Sequence, residues 1–118
     1  MPALNFKKEF APMVESGEKR TTIRALRKDG RNPRPGQTLY LYMGMRTKGC
    51  RKLGEAICKS VAQLSIEENL DVYIGVNYLP LFKIIDLAKK DGFNNVSNFY
   101  QFFKKTHGLP FYGLLIKW

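Results

Sequence analysis

Two amphipathic segments stand one after the other near the C-terminus, and each carries the signals that begin or end a helix. In residues 81–88 apolar side chains recur at helical spacing, charged ones occupy the opposite face, and Gly92 follows as a stop signal. The same pattern returns in residues 96–103, after Asn95 as the N-cap and before Gly108. The chain therefore has to supply another layer of structure on which two helices bury their apolar faces.

The rest of the chain consists mainly of short strand-like segments. A third helix is predicted around residues 10–14, with Pro12 in its first turn and Gly17 directly after its end. The order strand, helix, several strands, two helices, strand is typical of an α+β fold with a mixed or antiparallel sheet, which small proteins often curl into a barrel. A length of 118 residues corresponds to a single domain, residues 1–118. The predicted strands are 4–6, 21–23, 38–42, 54–66 with a bulge, 72–76 and 111–118.

The net charge of +10 is distributed unevenly along the chain. Residues 1–59 carry fourteen basic and five acidic side chains, or +9, whereas residues 60–118 carry six and five, or +1. A one-sided basic surface attracts polyanions, and we expect RNA or a nucleotide as the partner. The alternative, a small basic protein whose charge only keeps it in solution, stays open at this point.

Two glycine-containing loops, residues 27–34 and 46–52, hold much of this charge on either side of the strand that begins at residue 38. Because a strand of six residues spans roughly 20 Å, the loops are expected at its opposite ends. There they suit two stretches of a nucleic-acid backbone better than one small-molecule pocket. The residues predicted to bind nucleic acid are Lys19, Arg20, Arg24, Arg27, Arg31, Arg34, Arg46, Lys48 and Arg51.

Few residues are available for metal or cysteine chemistry. Cys50, Cys58 and the single histidine, His107, cannot supply the four ligands of a structural zinc site, so neither a metal nor a cofactor is predicted. No apolar run approaches the ~18 residues of a membrane span, and the N-terminus lacks the form of a signal peptide. These features predict a cytoplasmic protein without membrane contact, and we expect it to be a monomer.

Residues 17–24, Gly-Glu-Lys-Arg-Thr-Thr-Ile-Arg, join a helix stop directly to a strand. In an extended chain Thr22 and Arg24 point to the same face, and Lys19 lies just before the strand. The segment resembles the G-x-K-x-x-T-x-R signature of the ASCH domain, a branch of the PUA-like superfamily. Three further blocks follow in the order of that family: residues 35–42, 88–93 and 111–118.

The resemblance implies a small PUA-like β-barrel of about five to six strands with flanking helices, and a cleft associated with RNA or nucleotides. ASCH proteins include bacterial amidohydrolases that remove the acyl group from N4-acetylcytidine, and others are described as ribonucleases. In the amidohydrolases the Lys and Thr of the signature act with a Glu from a later helix. The matching positions are Lys19, Thr22 and Asp91. Asp91 is one methylene shorter than that Glu, or about 1.3–1.5 Å in reach.

A hydrolytic role for these residues is chemically reasonable. A partly desolvated Lys19 among arginines would have its pKa lowered and could accept the Thr22 proton, while Asp91 protonates the leaving amine or steers water. Each residue also has a structural interpretation: Asp91 as a helix-end residue paired with Lys90 or Arg24, and Thr22 as a strand residue bonded to nearby backbone. The sequence thus predicts an RNA- or nucleotide-binding module, alternatively a hydrolase, with Lys19, Thr22, Arg24 and Asp91 lining one pocket.

Overall fold

The computed structural model describes residues 2–118, which form eight strands and three helices. The predicted α+β class is confirmed. The helices are α1 (Ala11–Ser16), α2 (Leu81–Lys90) and α3 (Val96–Thr106). The strands are β1 (Ala3–Phe6), β2 (Thr21–Ala25), β3 (Thr38–Met43), β4 (Arg51–Ile57), β5 (Ser60–Ile66), β6 (Val72–Ile74), β7 (Asn77–Tyr78) and β8 (Phe111–Lys117).

The strands form two sheets. In the three-stranded sheet the order is β1-β3-β4, with β1 parallel and β4 antiparallel to β3. In the five-stranded sheet the order is β2-β8-β5-β6-β7, and every neighbouring pair is antiparallel. Among residues 2–118 no strand pairing closes the two sheets into a barrel, and the strands outnumber the five to six expected.

The prediction of one long strand over residues 54–66 is wrong, because this segment belongs to two strands. β4 ends at Ile57 and β5 begins at Ser60, because the chain exchanges partners between them. Cys58 still bonds residues beside β3, donating its N–H to the Gln37 carbonyl, whereas the N–H of Lys59 already donates to Lys117 at the end of β8. The irregularity in the ladder lies earlier, at Leu53, which the pairing of Gly54 and Lys52 with β3 leaves out.

Two other boundaries differ from the prediction. The segment 72–76 divides at Gly75, whose φ of +62° turns the chain from β6 into β7. Strand β4 already begins at Arg51, within the predicted loop 46–52. The first difference follows from the turn at Gly75. The second arises because a strand extends as far as its partner offers hydrogen bonds, which local composition does not reveal.

The helices begin and end where their signals predict. Gly17 adopts the left-handed conformation after α1, and Asn95 caps α3 by accepting the N–H of Asn98 at 2.8 Å. Helices α2 and α3 cover the five-stranded sheet and bury Phe99 and Phe103 completely. A second core lies between α1 and the sheets, around Leu39, Leu41, Ile116 and Trp118.

Gly92 allows the end of α2 to pack closely on α1. Its φ is +97°, and a Cβ there would lie 2.8 Å from the Phe10 ring and 2.9 Å from the Met13 methyl group. Only glycine satisfies both constraints without displacement. The close approach brings Asp91, which follows α2, next to the segment that joins α1 to β2. In residues 2–118 no helix is long and apolar enough to cross a membrane.

Candidate functional site

A cavity of about 260 Å³ lies where the start of β2 meets the ends of β1, α2 and α3. Its lining includes Lys19, Thr22, Arg24 and Asp91, although Asp91 is 72 residues from Lys19 in the chain. The predicted convergence of these four residues on one pocket is therefore confirmed. We call this space the cavity.

Lys19 and Asp91 form a buried ion pair at the floor of the cavity. The Lys19 Nζ lies 2.6 Å from Asp91 Oδ1, and the two side chains are 3% and 7% exposed. The same ammonium also donates to the backbone carbonyls of Thr21 and Asp91, each at 2.7 Å. All three N–H donors of Lys19 are therefore used within the protein, and they tie the C-terminal end of α2 to the first residue of β2.

Burial and pairing act in opposite directions on this pair. Burial lowers the pKa of Lys19, and the Asp91 carboxylate opposes that effect. Burial likewise raises the pKa of Asp91, and the positive charges of Lys19 and Arg24 oppose it. The three acceptors around Nζ match an ammonium and not a neutral amine, so the geometry is that of a charged pair.

The Arg24 side chain is half-buried in the cavity lining and contacts two neighbouring side chains. Its Nε donates to Thr22 Oγ1 at 3.0 Å, and its Cζ lies 4.8 Å from the centre of the Phe6 ring. Burial lowers its pKa to about 10, which leaves it charged at neutral pH. Among residues 2–118 its terminal amino groups have no carboxylate or carbonyl acceptor within hydrogen-bond distance. The guanidinium is thus a charged group of the cavity lining whose terminal N–H donors have no acceptor among the described residues.

Aromatic side chains form much of the cavity wall. Phe6, Phe10, Phe93 and Phe102 all line it, and the Lys7 ammonium lies 4.6 Å from the centre of the Phe102 ring. Sequence reasoning did not assign these rings to the site. They come from β1, the start of α1, the α2–α3 loop and α3, and nothing local in the sequence indicates that such distant residues meet.

His107 also lines the cavity, at the end of α3. Its ring stacks on Phe103 at 6.0 Å and lies 4.9 Å from Phe111. Partial burial lowers its pKa, so the ring is mainly neutral at neutral pH. Its place directly before Gly108, the glycine that follows the second amphipathic segment, can be read from the sequence, but its contact with the cavity was not predicted.

The other basic residues predicted to bind nucleic acid lie outside the cavity. Arg31 and Arg34 are exposed and line a separate hollow of about 490 Å³ with the half-buried Arg27. Arg46 and Lys48 lie in the turn beyond the opposite end of β3. This is the arrangement predicted for the two loops.

Three of the predicted arginines outside the cavity are bound to neighbouring groups of the protein, and one of them is Arg27, whose Nη2 donates to the Ala3 carbonyl at 3.0 Å. Arg51 makes an exposed ion pair with Glu15 at 2.6 Å. Arg20 is exposed, and its Nε donates to the Gly17 carbonyl at 3.0 Å. Neither side chain reaches the cavity lining.

Within residues 2–118 no group of three or more His, Cys, Asp or Glu side chains is arranged to hold a metal ion. Comparison with protein-family models, with curated proteins and with solved structures finds no match for this chain. The resemblance to the ASCH domain therefore rests on the four sequence blocks alone.

Proposed function

We propose that this protein binds RNA or a nucleotide in the cavity. The observation that carries the proposal is the Arg24 guanidinium, which lines the cavity and contacts Thr22 and the Phe6 ring. Its terminal amino groups have no hydrogen-bond acceptor among residues 2–118. Such a guanidinium offers two parallel N–H donors, which match a phosphate or the acceptor edge of a base.

The size and walls of the cavity favour a planar ligand. Its volume of about 260 Å³ is near the lower end of small-molecule sites, ~300–1,000 Å³. Aromatic rings on its walls can stack on a base, an interaction worth roughly 1–3 kcal/mol per base. The net charge of +10 adds long-range attraction for a polyanion.

The remaining basic residues extend this site in the proposal. Arg31 and Arg34 at one end of β3, and Arg46 and Lys48 at the other, would hold phosphates beyond the cavity. Lys19 acts as a positioning residue, because its three internal hydrogen bonds fix β2 against α2 and leave no donor for a ligand.

A second candidate is a hydrolase in the same cavity, acting on N4-acetylcytidine or on RNA. The shared location of Lys19, Thr22 and Asp91 favours it. Two observations weigh against it. To serve as a base, Lys19 would have to lose a proton that stabilises its hydrogen bonds to three oxygen acceptors. The Thr22 hydroxyl also contacts Arg24 instead of Lys19. Binding without chemistry is therefore the preferred function.

We further propose that the chain is an ASCH protein whose two sheets correspond to an opened PUA-like barrel. The four sequence blocks support this, as do the main-chain hydrogen bonds by which Cys58 and Lys59 pass from one sheet to the other. We also propose that the protein is a cytoplasmic monomer.

The test is a calorimetric titration with nucleoside 5′-monophosphates at low salt. Arg24→Ala should weaken binding roughly ten- to hundredfold, because one or two charge-assisted hydrogen bonds are lost. Arg24→Lys, which keeps the charge but not the fork, should recover only part of the affinity. Arg34→Ala is the matched control, since it removes the same charge outside the cavity. Equal effects of Arg24→Ala and Arg34→Ala would contradict the proposal.

A different variant tests the second candidate. Mass spectrometry of N4-acetylcytidine and of a short RNA, incubated with the unmodified protein and with Thr22→Ala, should detect no turnover if the cavity only binds. Turnover that disappears in Thr22→Ala, which leaves the buried Lys19–Asp91 pair intact, would establish the hydrolase instead.

A further inference from the structure

A groove of about 520 Å³ adjoins the cavity and shares three aromatic residues with it: Phe10, Phe93 and Phe102. We call these three the aromatic row. The ring centres are 5.5 Å apart for Phe10 and Phe93 and 5.4 Å apart for Phe93 and Phe102. The row is continuous, so one ligand can contact it from both spaces.

The polar lining of the groove differs from that of the cavity. It contains three exposed amide side chains, of Asn94, Asn98 and Gln101, and none of them makes a side-chain hydrogen bond within residues 2–118. Lys105 follows Gln101 by one helical turn on α3 and makes no ion pair with a described carboxylate. The groove therefore combines aromatic surface, amide donors and acceptors, and one cation.

We propose that the groove binds the nucleotide next to the one in the cavity, so that the ligand is single-stranded RNA of at least two nucleotides. This inference rests on the proposed function. Amide side chains can donate to and accept from the edge of a base at the same time, and unpaired RNA bases are recognised by stacking together with such contacts. A duplex is disfavoured, because its stacked bases cannot enter two adjoining hollows.

The charge of the surroundings favours RNA over a peptide. Lys7 lies over the ring of Phe102, and Lys105 lines the groove, as Phe102 does. Glu9 is the one carboxylate among the described residues that line the groove. An RNA whose bases occupy the cavity and the groove has its phosphates near these two lysines. A neutral peptide would gain no attraction from the lysines.

The experiment compares uridine 5′-monophosphate with the trinucleotide UUU, and the other three bases in the same two forms, by calorimetric titration. For at least one base we expect the trinucleotide to bind roughly tenfold or more tightly than the monophosphate. The double variant Asn98→Ala/Gln101→Ala should lose most of that gain and keep the affinity for the monophosphate. Because both replaced side chains are neutral and exposed, the variant keeps the net charge, and we expect it to fold like the unmodified protein.

The matched control is Gln63→Ala, which removes an exposed amide from β5, outside both spaces. It should bind every ligand like the unmodified protein. A trinucleotide gain that is absent, or that survives in the double variant, overturns the groove assignment while monophosphate binding through Arg24 still stands. Absence of binding to all nucleotides, or binding of an acidic peptide in their place, overturns the proposed function itself.

Discussion

Charged side chains occupy two contrasting regions of this molecule. At the floor of the cavity Lys19 and Asp91 are almost fully buried, and every N–H of the ammonium has a protein acceptor. In the loops at the two ends of β3, Arg31, Arg34 and Lys48 are exposed and surrounded by water. The first region contains few charges, which are bonded to protein groups, and the second contains several exposed charges without an ion pair among the described residues.

The difference shows why sequence charge alone says little about a site. Two charges 4 Å apart interact by about 1 kcal/mol in bulk water and by about 4 kcal/mol at the effective dielectric near a protein surface. Salt screens exposed charges over ~10 Å but affects buried ones far less. Exposed loops can therefore attract a polyanion from a distance, whereas the geometry around Arg24 can select what is bound.

The largest expected effect tests whether the buried pair differs from a surface pair. Lys19→Met should destabilise the protein by about 3–5 kcal/mol, because it leaves the Asp91 carboxylate and two carbonyls buried without their donor. Arg51→Met breaks the exposed pair with Glu15 and should change stability by less than about 1 kcal/mol. Urea unfolding measures both. Similar values for the two variants would remove the distinction between the regions.

The local parts of this architecture could be predicted from the sequence, and the contacts between distant segments could not. Gly17 predicts where α1 ends and Asn95 predicts where α3 begins, because the effects of both residues depend on their immediate neighbours. The exchange of partners between Cys58 and Lys59 could not be predicted, since alternation shows which face a residue takes and not which strand lies beside it.

The same division applies to the site. Lys19, Thr22 and Arg24 lie within one short segment, and Asp91 was included only because the chain resembles the ASCH domain. The Phe93 ring was missed, because a phenylalanine beside a helix is usually a core residue and no spacing distinguishes a cavity wall from a core.

The second effect concerns the exposed loops. A protein with Arg31→Ala, Arg34→Ala, Arg46→Ala and Lys48→Ala should show a flatter salt dependence of binding to a single-stranded RNA of ten or more nucleotides. Each lost phosphate contact reduces the log–log slope by about 0.7, so a reduction of up to about 3 is expected. Fluorescence anisotropy between about 0.05 and 0.2 M salt measures the slope.

Arg24→Ala is the comparison protein in that titration. It should lower the affinity for RNA at every salt concentration. It should reduce the log–log slope by no more than about 0.7, the amount expected for one phosphate contact. If the loop variant and Arg24→Ala had the same slope, the exposed loops would have no separate role in attraction. A slope near zero in the unmodified protein would contradict the nucleic-acid function as a whole.

The smallest expected effect concerns His107, which is more exposed than Lys19 but still lines the cavity. Partial burial against Phe103 and Phe111 lowers its pKa below the ordinary value of 6.5, so the folded protein binds this proton less readily than the unfolded chain. Its contribution to the free energy of unfolding should therefore fall as the pH decreases through the range just below 6.5.

Unfolding of the unmodified protein and of His107→Asn at pH 5 and pH 7.5 isolates this contribution, because the carboxylates common to both proteins cancel in the difference. We expect the unmodified protein to gain stability relative to His107→Asn between pH 5 and pH 7.5. If the difference in stability between the two proteins did not change with pH, His107 would behave like the exposed charges of the loops. It would then belong with those loops and not with the buried Lys19–Asp91 pair.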